Sequence, residues 1–146
     1  MGKSKYNPIF EFEYKVNNQS TTYRVTSVLG HLMGVEFPES CKNWYATKME
    51  DLYHIPLIKS PVENAHGVVS NLKQYSRDCD DLIVWTDCDR EGEAIGFDII
   101  DICVQTKSNL DVYRAKFSAL TREDLENAAL NLERPKKCLA DAVKVR

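Results

Sequence analysis

Several things are missing from this 146-residue chain, and each absence removes a class of protein. No long apolar run exists. The longest uninterrupted one, Leu82-Ile83-Val84-Trp85, falls far short of the ~20 residues a membrane-spanning helix needs. No apolar stretch follows Met1-Gly2-Lys3-Ser4-Lys5, so the start does not read as a secretory signal. No C-x-x-C pair occurs among Cys41, Cys79, Cys88, Cys103 and Cys138. Five scattered cysteines argue against a zinc site or a disulfide framework and favour a reduced, intracellular compartment. Asn18-Gln19-Ser20 spells a glycosylation acceptor, but without a secretory route it reads as part of a turn. Positive charge is not in excess either. Lys and Arg total 19 against 22 Asp and Glu, a net charge of −3, which excludes a generally basic, histone-like nucleic-acid binder but not a local basic site. Repeats and low-complexity stretches are absent. What remains has the length and the 43% hydrophobic content of one globular domain.

Period and punctuation predict the elements. Phe10, Phe12, Tyr14 and Val16 alternate with Glu11, Glu13 and Lys15, the period of a strand. A turn at Asn17-Asn18-Gln19-Ser20 and a β-prone run from Thr21 to Ser27 complete a hairpin. His31 lies just past its end. The interval from Leu32 to Lys59 reads as mostly loop with short turns. Ser60-Pro61-Val62-Glu63 predicts a helix start, with Ser60 as cap, Pro61 in the first turn and Glu63 completing a capping box. Its apolar face would be Ala65, Val68, Val69, Leu72, Tyr75 and Cys79. Leu82 to Trp85 reads as a strand buried on both faces, which favours a parallel sheet. A helix from about Gly92 would turn Ala94, Ile95, Ile99, Ile102 and Cys103 inward. A strand at Val112–Phe117, a helix opened by Thr121 and ended by Pro135, and the start of another helix from Lys136 complete the chain. Alternating strands and helices define an α/β fold.

The chemistry concentrates in Thr86-Asp87-Cys88-Asp89-Arg90-Glu91-Gly92-Glu93, directly after the apolar strand. In extended backbone, residues two apart share a side, so Asp87 and Asp89 would point together. Clustered carboxylates repel unless a cation neutralises them. Hard oxygen ligands suit Mg²⁺, which keeps several waters and is usually held by one or two carboxylates. The carboxyl end of a strand is also where open α/β sheets bind ligands. Arg90 could pair with its neighbours or grip a phosphate. Gly92 permits a tight entry into the helix, and Glu93 falls in the first helical turn, where the dipole favours an anion. Charge is segregated: nine acids and one base lie between Asp78 and Asp101, and five bases against two acids between Glu133 and Arg146.

Plainer readings stand beside these. An acid run is ordinarily a solvated loop; the apolar strand before it and the glycine after it leave a metal site and a loop as the two readings. His31 reads as a structural or surface histidine. Trp44, Tyr45 and Trp85 read as packing residues. Arg114 and Lys116 alternate on a strand, either lining a phosphate path or forming a solvated face. The basic tail reads equally as an exposed helix face.

The segment Thr86 to Glu93 resembles the D-x-D-x-E signature of the Toprim domain. With Val84-Trp85 before it and Ile95-Gly96-Phe97 after it, it is similar to the eukaryotic topoisomerase III branch of the type IA DNA topoisomerases. Tyr6 to Tyr14 resembles that family's first hairpin. Thr26-Ser27-Val28-Leu29-Gly30-His31-Leu32 resembles its T-S-V-x-G-H-L segment, Tyr113-Arg114-Ala115-Lys116-Phe117-Ser118 its R-A-x-F-S strand, and Asp141 to Arg146 the start of the next segment. The resemblance implies a Toprim-like, Rossmann-like α/β fold: a mainly parallel sheet flanked by helices, with an N-terminal β-hairpin. It divides the chain into a partial Toprim-like domain, residues 1–134, and the start of the following catalytic region, residues 135–146.

By the same resemblance, Asp87 and Asp89 are the Mg²⁺-binding pair, Glu91 is a third acid near the metal, and Arg90 and His31 face DNA at the cleavage site. The family cuts one DNA strand with a tyrosine through a 5′-phosphotyrosyl link, passes another strand and reseals the first, a form of nucleophilic covalent catalysis. It implies single-stranded DNA as substrate, a RecQ-type helicase and a small OB-fold protein as partners, and the nucleus as location. Two family features have no counterpart. Nothing before Tyr6 resembles the first strand and its glutamate, and none of the seven tyrosines matches the nucleophile. The segment alone is therefore expected to be inactive, with an exposed sheet edge and poor stability. A freestanding Toprim metal-dependent nuclease or primase-like protein, and a non-catalytic DNA-binding module, are the competing readings.

Overall fold

The computed structural model describes residues 6–16, 19–41, 43, 45 and 47–144. Strands β1 (Phe10–Val16) and β2 (Gln19–Val25) form the expected antiparallel hairpin. Its register sets Phe12 opposite Tyr23, and the two rings stack at 5.9 Å between centroids. Cross-strand aromatic pairs of this kind stabilise a ribbon that has only two strands. Arg24 adds an ion pair to Glu11 across the strands at 2.5 Å. Gln19 and Ser20 belong to β2 rather than to the turn; Asn17 and Asn18 lie outside the described residues, as does Trp44.

The interval expected to be mostly loop carries a second antiparallel pair at its ends, β3 (Met33–Glu36) with β4 (Ile58–Pro61). The helix expected from Ser60 therefore begins later. A 3₁₀ turn at Glu63–Ala65 leads into α1 (His66–Tyr75), and neither start has a side-chain cap. The reason is tertiary. Ser60 precedes a proline, which disfavours helical backbone, and β3 offers the extended segment a partner. Val62 N–H continues the ladder by donating to the Leu32 carbonyl at 3.1 Å.

Strand β5 (Asp81–Val84) pairs in parallel with β6 (Asp111–Arg114), Val84 opposite Arg114. Helix α2 (Arg90–Thr106) connects them. The fold is α/β, as expected, but among the described residues the parallel sheet is this single pair, and the other two pairs are antiparallel. Burial of β5 on both faces is not observed. Val84 is buried, Leu82 and Ile83 are half-buried, and Trp85 is 40% exposed. The core lies between helices instead: Ala65, Val68 and Val69 beside α2's Ile99, Ile102 and Cys103, closed by Leu32 and Leu110.

Helix α3 (Arg122–Leu130) is capped by Thr121, whose hydroxyl oxygen accepts from Asp124 N–H at 3.2 Å. It ends before Pro135, because Glu133 is drawn into a backbone bridge with Arg114. Helix α4 (Lys137–Lys144) follows. Among the described residues no helix is long and apolar enough to cross a membrane.

All five cysteines are free thiols. Burial pushes the Cys103 thiol up to about 11, whereas Cys88 and Cys138 are exposed. Because the thiolate is the reactive form, Ellman's reagent at neutral pH is expected to modify Cys88 and Cys138 quickly and Cys103 only on unfolding. Rapid native-state labelling of Cys103, located by peptide mapping, would contradict this core.

Candidate metal centre

The acidic turn lies where the sequence placed it, between the end of β5 and the start of α2. Asp89 is extended (φ −122°, ψ −179°) and caps the helix: its carboxylate accepts from Gly92 N–H at 2.6 Å. Such a cap satisfies one of the unpaired donors of the first turn. Thr86 Oγ1 donates to the Gly92 carbonyl at 2.7 Å and ties the strand end to that turn. Gly92 is there for contact. A Cβ built on it would stand 2.1 Å from the Asp87 carbonyl oxygen and 2.8 Å from its carbon. Cys88 Sγ donates to the Phe117 carbonyl at 3.2 Å.

The four carboxylates separate into two kinds. Asp87, Asp89 and Glu91 are exposed, and Glu93 is buried. Glu93 meets Arg114 Nε at 2.8 Å, in a pair whose side chains are only 5% and 1% exposed. The rest of the guanidinium donates to backbone. Nη1 reaches the carbonyls of Val84 at 3.3 Å and Ala115 at 2.6 Å. Nη2 reaches those of Thr86 at 2.8 Å and Asp87 at 2.7 Å.

His31, from the loop between β2 and β3, reaches the same turn. Its Nε2 lies 3.1 Å from the Glu91 carboxylate and its Nδ1 3.3 Å from Asp98 on α2. Lys59 of β4 pairs with Asp98 at 3.2 Å and with Asp101 at 3.3 Å. Burial pushes the Lys59 ammonium down, but these two carboxylates more than offset it and hold it above the usual lysine value. Polar contacts thus run from Glu91 through His31 and Asp98 to Lys59.

The expected site residues are placed as follows. Asp87 and Asp89 stand exposed two residues apart, Glu91 faces His31, and Arg90 is exposed on the first turn of α2. Among the described residues no three acids, histidines or cysteines converge as a ready-made metal cage. The donor set fits a hard cation held by one or two carboxylates and otherwise by water, which is the habit of Mg²⁺.

Arg114 does not line a phosphate path. Arg114 is sealed beneath the turn, and Lys116 pairs with Glu133 at 2.8 Å, holding that carboxyl below its usual value. Tyr45 and Trp85 are exposed rather than packed. Sequence reasoning missed Asp98, Lys59 and the cradle formed by Arg114. Strand alternation gave Arg114 a face but not its depth, and no spacing signal pairs it with Glu93.

Comparison with known proteins places the chain in a family. The Toprim domain matches residues 10–120. The chain is 42% identical over 145 residues to DNA topoisomerase 3-alpha of Arabidopsis thaliana, covering 99% of this chain and 16% of that protein. It is 41% identical over 145 residues to DNA topoisomerase 3-alpha of Homo sapiens, covering 99% and 14%. It is 38% identical over 133 residues to DNA topoisomerase 3 of Caenorhabditis elegans, covering 91% and 18%. The chain thus spans less than about a fifth of the length of these curated relatives. The matched interval takes in β5, the acidic turn, α2 and the β6 arginine beneath the turn, and the chain belongs to the Toprim domain family.

Proposed function

We propose that this chain supplies the acidic Mg²⁺ site of a type IA DNA topoisomerase, which cleaves, passes and reseals single DNA strands through a 5′-phosphotyrosyl intermediate. The observation that supports it is the exposed Asp87–Asp89 pair at the carboxyl end of a parallel strand, within a chain about 40% identical to proteins named DNA topoisomerase 3. Asp87 and Asp89 are the metal ligands, and Glu91 is the third acid beside them. Mg²⁺, when bound, supplies positive charge at phosphate oxygens.

The chain's own residues bind and orient. Arg90, exposed at the start of α2, offers a planar fork to a phosphate. His31, in contact with Glu91, is the second residue to face DNA. Residues 1–134 are the Toprim-like unit, and residues 135–146 begin the region that follows. The whole protein works in the nucleus on single-stranded DNA, with a RecQ-type helicase and an OB-fold protein as partners.

Relaxation of negatively supercoiled DNA with Mg²⁺ tests the assignment. The chain alone is expected to relax nothing, and robust relaxation would overturn the proposal that it only supplies the metal site. Magnesium-dependent cleavage of single-stranded DNA that Asp87→Asn abolishes would point instead to a freestanding nuclease.

A further inference from the structure

We infer that Arg114 is the positioning residue of the acidic turn: through its guanidinium it fixes the backbone that aims Asp87 and Asp89. The inference rests on the metal-site proposal and adds a residue to it. A guanidinium has five N–H donors in a rigid fork, and here all five are used. One serves Glu93 and four serve the carbonyls of Val84, Thr86, Asp87 and Ala115. Three of those carbonyls lie on the β5 strand end and the turn itself. Nη2 alone holds two, those of Thr86 and Asp87, which orients the peptide planes on either side of Asp87. The oxygen of the plane after Asp87 also fills the space that a Cβ at position 92 would need.

Charge does not explain the arrangement. Glu93 neutralises the guanidinium, and at 1% exposure Arg114 presents nothing to a nucleic acid. Lysine could not substitute, because an ammonium has three donors and no fork.

The test uses the 146-residue chain and Mg²⁺ alone, followed by backbone amide NMR shifts over residues 86–92. Arg114→Lys is compared with Val69→Ala, a core change on α1 that lowers stability away from the turn. Arg114→Lys is expected to displace the metal-free shifts of residues 86–92. It is also expected to weaken Mg²⁺ by about 10- to 100-fold, the usual cost of losing a supporting partner of a metal site. Val69→Ala is expected to lower the thermal midpoint and leave both readouts unchanged. Native shifts together with native affinity in Arg114→Lys would overturn the inference.

If Arg114→Lys does not fold, Glu93→Gln is read in its place. It keeps an acceptor for Nε but removes the charge that strengthens that bond, so displaced turn shifts support the inference, and native turn shifts beside a displaced Arg114 Nε–H resonance overturn it. If the unaltered chain shows no response to Mg²⁺, the metal proposal fails. The metal-free shifts of the variants then decide alone whether Arg114 sets the turn.

Discussion

Gly92→Ala is expected to lower the thermal midpoint of the chain by about 10 °C. The added methyl would stand 2.1 Å from the Asp87 carbonyl oxygen and 2.8 Å from the carbon behind it. Both are backbone atoms, so no rotamer change relieves the contact. Either the turn or the first turn of α2 must move. Moving the helix lengthens the bond from Gly92 N–H to the Asp89 carboxylate, worth about 1 kcal/mol as a cap. Moving the turn strains the bond from Arg114 Nη2 to the Asp87 carbonyl. Overpacking of this kind costs about 3 kcal/mol, and a chain this long loses roughly 3 °C per kcal/mol. Alanine's better helix propensity works the other way, by up to about 1 kcal/mol. Calorimetry decides: a midpoint that rises would mean that propensity outweighs the contact and that the turn is looser than described.

Glu93→Ala is expected to cost more, about 3–5 kcal/mol, as one half of a buried ion pair left alone. Surface screening gives no relief, since the two side chains are 5% and 1% exposed. The cost falls on Arg114, whose charge would remain buried among carbonyl oxygens with no carboxylate beside it. Glu93→Gln keeps an acceptor for Nε and should lose less. Removing the opposite partner should be worse than Glu93→Gln, because Arg114→Met leaves carbonyls of the strand end and turn without their donor. Urea unfolding of the three variants orders them. If Glu93→Ala matches the original chain, the pair does not hold the fold together. The Lys116–Glu133 pair on the surface is a useful contrast, since exposed pairs contribute little.

Much of this was legible in the residues, for physical reasons. Period-2 alternation marked β1 and its partner, because a hairpin face repeats every second residue. Thr121 marked the start of α3, because its hydroxyl does locally what the sequence suggests. The acidic turn was found from its place after an apolar strand and before a glycine. What could not be read depended on distant partners. Ser60-Pro61 looks like a helix start until β3 is beside it. Leu82 to Trp85 looks doubly buried, yet among the described residues β5 pairs on one side only. Arg114 looked like a solvated or phosphate-facing residue because alternation reports a side chain's direction and says nothing about what lies over it. His31 was placed near the site by family resemblance, while its contact with Glu91 across 60 positions has no trace in local pattern.

The Asp87 carbonyl also links two positions that are far apart in the chain. Gly92 and Arg114 answer to the same oxygen atom, one by having no side chain and the other by having a long forked one. Neither is free to vary alone. A lineage that put a side chain at position 92 would displace the carbonyl and strand the guanidinium, and one that gave up the arginine would lose the reason for so close an approach. The two residues should therefore be inherited, or exchanged, together.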